Sequence, residues 1–136
     1  MFIDPQDSVD VALHYKKIGK TYLCYNDGDF KKIPEEEAKA YKSLNVVMRV
    51  TDWGIYNDLQ NKAIETDEEG NRRFNNKKYK ELRLQTLIKD WDVKDANDKV
   101  VKPTPEKIRQ IAPSIAEMIL EEYDTGTFLS EEEEKN

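Results

Sequence analysis

The stretch Tyr79–Tyr123 constrains this chain more than any other: YKELRLQTLIKDWDVKDANDKVVKPTPEKIRQIAPSIAEMILEEY. Tyr79, Leu82, Thr86, Leu87 and Trp91 share one stripe at helical spacing, widened by Leu84 and Ile88, which predicts a helix over 75–90. Trp91 is expected to end that helix, buried against the segment 105–123. Thr104-Pro105-Glu106 has the form of a helix start: a capping hydroxyl, a proline suited to the first helical position and an acid beside the positive helix end. Pro113 breaks or restarts that helix. Ser114 and Glu117 then stand three apart, the spacing of a capping box, and Ile115, Ile119, Leu120 and Tyr123 give the last helix an apolar face.

The segments before this stretch read as elements that pack onto it. Val9, Val11 and Leu13 alternate with Asp10, Ala12 and His14, the period of a strand. Thr21–Tyr25 is β-branched and aromatic, and Asn26-Asp27-Gly28 carries a hairpin signal, with Phe30 and Ile33 on a returning strand. These runs predict a small antiparallel meander over 9–33. Pro34 and the acids Glu35–Glu37 open a short helix. Val46–Val50 reads as extended. Thr51 or Asp52 caps a helix that carries Trp53, Tyr56, Leu59, Gln60 and Ala63 on one face and stops by Thr66. Both Trp53 and Trp91 lie on apolar stripes and are expected in the core.

The resulting expectation is an α+β fold, mainly α: a small N-terminal antiparallel meander followed by a bundle of three to five short helices. Residues 1–126 form a single globular domain and 127–136 an acidic flexible tail. With charged residues at 37% and hydrophobic ones at 38%, one modest core under a heavily solvated surface is expected.

Charge and residue inventory narrow the function. A net charge of −6 is opposite to the positive footprint of a general nucleic-acid binder. Basic residues gather in one stripe, Arg72–Lys89, read as a solvated helix face. Cys24 is the single cysteine, so an intrachain disulfide and a cysteine-built zinc site are both excluded. The start MFIDPQDSVD is acidic and has no apolar run, unlike a signal peptide, and no stretch reaches the length of a membrane span. An intracellular protein is expected.

Catalytic patterns are missing from the sequence. Phosphate-binding glycine loops, dinucleotide fingerprints and the H-E-x-x-H zinc motif are absent, and the single histidine, His14, sits in a strand-like run. Asp95–Glu106 can be aligned with a calcium loop, but Lys99 and Val100 occupy the fifth and sixth places, where an oxygen ligand and a glycine are needed. No catalytic, cofactor-binding or metal residue is assigned, and no enzyme is expected.

Trp91–Leu120, WDVKDANDKVVKPTPEKIRQIAPSIAEMIL, resembles a pattern in small tailed-bacteriophage proteins encoded in the tail region. There a tryptophan near an aspartate-rich turn is followed by a T-P-E helix start, a proline and a final helix. The upstream Arg49-Val50-Thr51-Asp52-Trp53-Gly54 belongs to the same layout, so the resemblance covers Arg49–Glu122. Ala112-Pro113 replaces the more usual double proline, and the N-terminal meander lies outside the pattern.

The resemblance implies a non-enzymatic phage morphogenesis protein, best placed as a tail assembly chaperone-like protein. Such proteins hold the apolar helices of the tape-measure protein in solution until tail tube subunits cover them. The implied partners are phage proteins, a tape-measure segment or neighbouring virion subunits, with self-association as a further option. No nucleic acid, membrane or small-molecule substrate is implied, and the implied location is the host cytoplasm during assembly, or the virion. The partner contacts expected on the last helix and tail are Ile115, Met118, Ile119, Phe128 and Leu129. A small virion component at head, neck or tail is one alternative; an acidic DNA mimic or regulatory binding protein is another.

Overall fold

The structure, a computed structural model, describes residues 1–135, with side chains described as far as Thr127. It corrects the mainly helical expectation. About 29% of the chain is strand and 39% helix, and antiparallel sheet dominates the architecture. Four strands, β1 (Ser8–Ile18), β2 (Thr21–Asn26), β3 (Lys42–Arg49) and β6 (Ile88–Trp91), form one sheet in the order β2-β1-β3-β6. Two short strands, β4 (Ile64–Thr66) and β5 (Arg72–Phe74), form a separate ribbon. The helices are α1 (Asp27–Phe30), α2 (Glu35–Ala38), α3 (Trp53–Lys62), α4 (Asn76–Leu87), α5 (Pro105–Ile108) and α6 (Pro113–Lys135).

Alternation explains the sheet. On β1, Val11 and Leu13 point inward, and on β3 Leu44, Val46 and Met48 do the same, while their neighbours face outward. The β1–β2 hairpin closes through Gly19-Lys20, with Ile18 opposite Thr21. Gly19 alone takes a positive φ there, +62°, the pattern of a II′ turn. The meander expected over 9–33, of two or three strands, therefore supplies two, and the returning strand expected at Phe30 and Ile33 is not formed. Asn26 does not turn a hairpin: its side chain accepts from the Asp29 N–H and caps α1. The third neighbour in the sheet is β3, the extended run predicted around Val46.

The main helix ends at Leu87, and Ile88–Trp91 is an edge strand on β3 rather than a last helical turn. Val46 pairs with Trp91 and Met48 with Ile88, with a bulge between. Strict alternation would put residues three apart on opposite faces. The extra residue of the bulge turns both Ile88 and Trp91 inward, where they are 7% and 4% exposed. The Trp91 indole N–H donates to the carbonyl oxygen of Val101, which anchors the following hairpin around the Lys94–Val100 bridge.

Helix α6 lies across β1 and β2 and closes the core. Ile115, Ile119, Leu120 and Tyr123 meet Leu84 and Leu87 of α4 and the inner face of the sheet. Burying each such side chain is worth about 1.5–3 kcal/mol in transfer terms. The capping box expected at Ser114 and Glu117 is absent. The Ser114 hydroxyl donates to the Tyr22 carbonyl oxygen at 2.8 Å, and Glu117 pairs with Lys80 at 3.1 Å. Likewise α3 stops at Lys62, so that 64–66 leaves the predicted helix to form the ribbon. The helix α6 continues through Gly126.

Two loops repeat one solution. Asp67 accepts from the N–H groups of Glu69 and Asn71, and Asp95 from those of Asn97 and Lys99. Gly70 (φ +84°) and Asp98 (φ +62°) hold the left-handed position in each.

Candidate functional site

The corner from β3 into α3 is pinned from behind by Tyr123. Its hydroxyl donates to the Arg49 carbonyl oxygen at 3.0 Å, accepts from the Thr51 N–H at 3.0 Å and lies 2.8 Å from the Thr51 hydroxyl. Asp52 then caps α3 by accepting from the Ile55 N–H at 2.8 Å. This fixes the first turn of α3, where Trp53 and Tyr56 are one helical turn apart.

Those two rings stack on each other, 5.7 Å between centroids and 20° from parallel. The core expectation for Trp53 is overturned: it is 74% exposed, and Tyr56 43%. Leu59 and Ala63, further along the same helix, are buried at 3% and 0%. The apolar stripe of α3 is thus real, but its first turn overhangs the domain.

Beneath the overhang lies an open groove of about 890 Å³. Ile3 and Val9 form one wall, the Val50–Tyr56 corner another, and Tyr79, Arg83, Tyr123 and Asp124 its base. Arg83 is locked in place. It grips Asp124 at 2.5 and 3.3 Å and lies against the rings of Tyr79 and Tyr123, at 5.5 and 5.7 Å from their centroids. Met1 and Phe2, which precede the groove-lining Ile3 in the chain, are exposed.

The contacts predicted on α6 fall elsewhere. Ile115 and Ile119 are core residues, 8% and 0% exposed, and Met118 is half-buried against the core. Among the described residues, the apolar face of α6 formed by Ile115, Ile119, Leu120 and Tyr123 is covered by the sheet and α4. The Phe128 and Leu129 side chains lie outside the described residues. Within the basic stripe, Arg83 pairs with Asp124, Lys80 with Glu117 and, more loosely, Lys78 with Glu65 at 3.9 Å, while Arg72, Arg73, Lys77 and Lys89 stand exposed.

A second arrangement sits on the outer face of the sheet. His14 Nε2 is 2.7 Å from Asp27 Oδ1, and His14 Nδ1 is 3.4 Å from the Ser43 hydroxyl. The order hydroxyl, imidazole, carboxylate is that of a nucleophile set. An acyl-transfer site also needs donors arranged for an oxyanion in an enclosed pocket. Ser43 instead stands exposed within β3, opposite His14 in the ladder. The imidazole stacks on Phe30 at 3.8 Å, so the line serves as a clip holding α1 to the sheet. The hydrogen bond from His14 holds the Asp27 carboxyl below its ordinary value.

Burial pushes the Cys24 thiol up to about 11, opposite to the shift of a reactive cysteine. Among the described residues no group of three or more His, Cys, Asp or Glu side chains could hold a metal ion. The Asp95 carboxylate is engaged by its own loop. No helix among the described residues is long and apolar enough to cross a membrane. Compared with protein-family models, with curated proteins and with solved structures, the chain matches none.

Proposed function

We propose that this chain is a non-enzymatic bacteriophage morphogenesis protein acting by protein–protein binding, as a tail assembly chaperone-like protein in the host cytoplasm. The layout of Arg49–Glu122 supports the phage reading. The observation that carries the binding reading is the Trp53–Tyr56 stack, held in the open over a groove by a buried framework. Trp53 is 74% exposed beside the 43% exposed Tyr56, so two aromatic rings together are left to solvent. Exposed apolar patches beside concave surface commonly serve as docking sites, and tryptophan and tyrosine dominate interface energetics.

In this reading the partner is an apolar helix of a tape-measure protein, laid into the groove. A small virion component at head, neck or tail would use the same surface for a neighbouring subunit. A DNA mimic fits less well, because Lys80 and Arg83 interleave with the carboxylates of α6. The test is co-expression with the tape-measure protein encoded in the same tail region. The tape-measure chain is expected in the soluble fraction only when this protein is present. Equal solubility with and without it contradicts the chaperone reading.

A further inference from the structure

We infer that the Trp53–Tyr56 groove takes a basic amphipathic helical segment, whose lysine or arginine lies on the exposed ring face while its apolar stripe enters the groove. This rests on the binding reading above and adds the chemistry of the partner. Among the described residues, the charges that line the groove are Asp7, Asp52, Asp124 and Arg83. Arg83 is the single base among these four, and both its terminal nitrogens face Asp124. Its side chain is 15% exposed and engaged by Asp124, which largely offsets its charge.

Asp7 and Asp52 are left. The Asp52 carboxylate accepts one N–H from its own helix, and neither Asp52 nor Asp7 has an ion-pair partner among the described residues. Two carboxylates lining the same groove as an exposed indole suit a basic partner, whose cation gains further from the electron-rich ring face. The walls of Ile3, Val9 and Val50 suit the aliphatic residues one turn away on the same partner helix.

The same charges disfavour a second copy of this chain. The arm exposes Met1 and Phe2, an apolar pair a neighbouring copy would meet, but it carries Asp4 and Asp7. Exchange of arms would set carboxylates against carboxylates in a chain of net charge −6.

The experiment uses three synthetic helical peptides with one shared apolar stripe and with Lys, Gln or Glu at the polar positions. Each is titrated into the intact protein and into each variant by calorimetry, with tryptophan emission as a second readout in the wild type. The Lys peptide is expected to bind, to shift the emission to the blue and to weaken as salt rises. Trp53→Ala should abolish that binding. The double variant Asp7→Asn/Asp52→Asn should weaken it about tenfold or more; asparagine also caps helices, so α3 keeps its start.

Equal binding of the Glu and Lys peptides, or full binding by the double variant, overturns the charge assignment and leaves the groove as a docking site. Lys-peptide binding that survives Trp53→Ala places the contact elsewhere and overturns the inference. Failure of all three peptides to bind overturns it too, while the binding reading stands or falls on the co-expression result. A dimer that forms with rising concentration and is lost in Trp53→Ala makes the occupant a second copy, again overturning it.

Discussion

The hydroxyl of Tyr123 and the carbonyl oxygen of Arg49 lie 3.0 Å apart, joining the last helix to the end of the third strand. The same hydroxyl holds Thr51, so one side chain sets the angle at which α3 leaves the sheet. Tyr123 is 2% exposed, and Tyr123→Phe would leave the half-buried Thr51 N–H and Arg49 carbonyl without this partner. A loss of about 1–3 kcal/mol is expected by chemical denaturation. A change under about 0.5 kcal/mol would show that the corner is fixed by other contacts.

The two tryptophans should behave oppositely. Trp91 is 4% exposed and Trp53 74%. Trp91→Ala is expected to cost about 3–5 kcal/mol, and Trp53→Ala no more than about 0.5 kcal/mol. Denaturation curves of both variants check this, and similar losses in the two would refute the assignment of core and overhang.

Asp98 holds φ +62° without being glycine, while Gly70 fills the matching place in the other loop. Asp98→Gly should therefore be neutral or stabilising by up to about 1 kcal/mol, despite losing its exposed contact with Lys94. Gly70→Ala should be destabilising by a similar amount. Thermal melts that rank the two variants the other way would contradict the turn assignment.

The Asp27 carboxyl is lowered mainly by its hydrogen bond from His14. A depressed folded value means stability that is present above the ordinary carboxylate range and lost as pH falls through the folded value. Wild type should thus melt above Asp27→Asn at neutral pH, and the gap should close in acid. Because Asp27 is largely exposed, the gap should be small and shrink with salt. A gap that is constant with pH would remove His14–Asp27 as a charged contact.

Much of the scaffold was legible locally. Asp52, Thr104 and Pro105 mark helix starts because capping is decided by neighbours in the chain. Alternation located β1 for the same reason. The failures depended on tertiary pairing. Ile88 and Trp91 stand at a helical interval, yet a bulge lets a strand turn both inward, and only pairing with β3 reveals it. The Asn26-Asp27-Gly28 step carries hairpin chemistry, but the same asparagine oxygen caps a helical turn equally well.

The candidate site was the least legible part. Trp53 lies on the same stripe as Leu59 and Ala63, and periodicity cannot tell where along a helix the core ends. That limit is set by Tyr123 and Arg83, which come from helices far along the chain. Conversely, Ile115 and Ile119 look available because an amphipathic face does not say what covers it; here the sheet does.

The most direct test of the account is the double variant Trp53→Asp/Tyr56→Asp, measured by thermal melt and by co-purification with the tape-measure protein. Both side chains project outward, so the melt should stay close to wild type while the partner is lost. A folded variant that retains the partner at wild-type level would contradict the claim that this groove is the working surface.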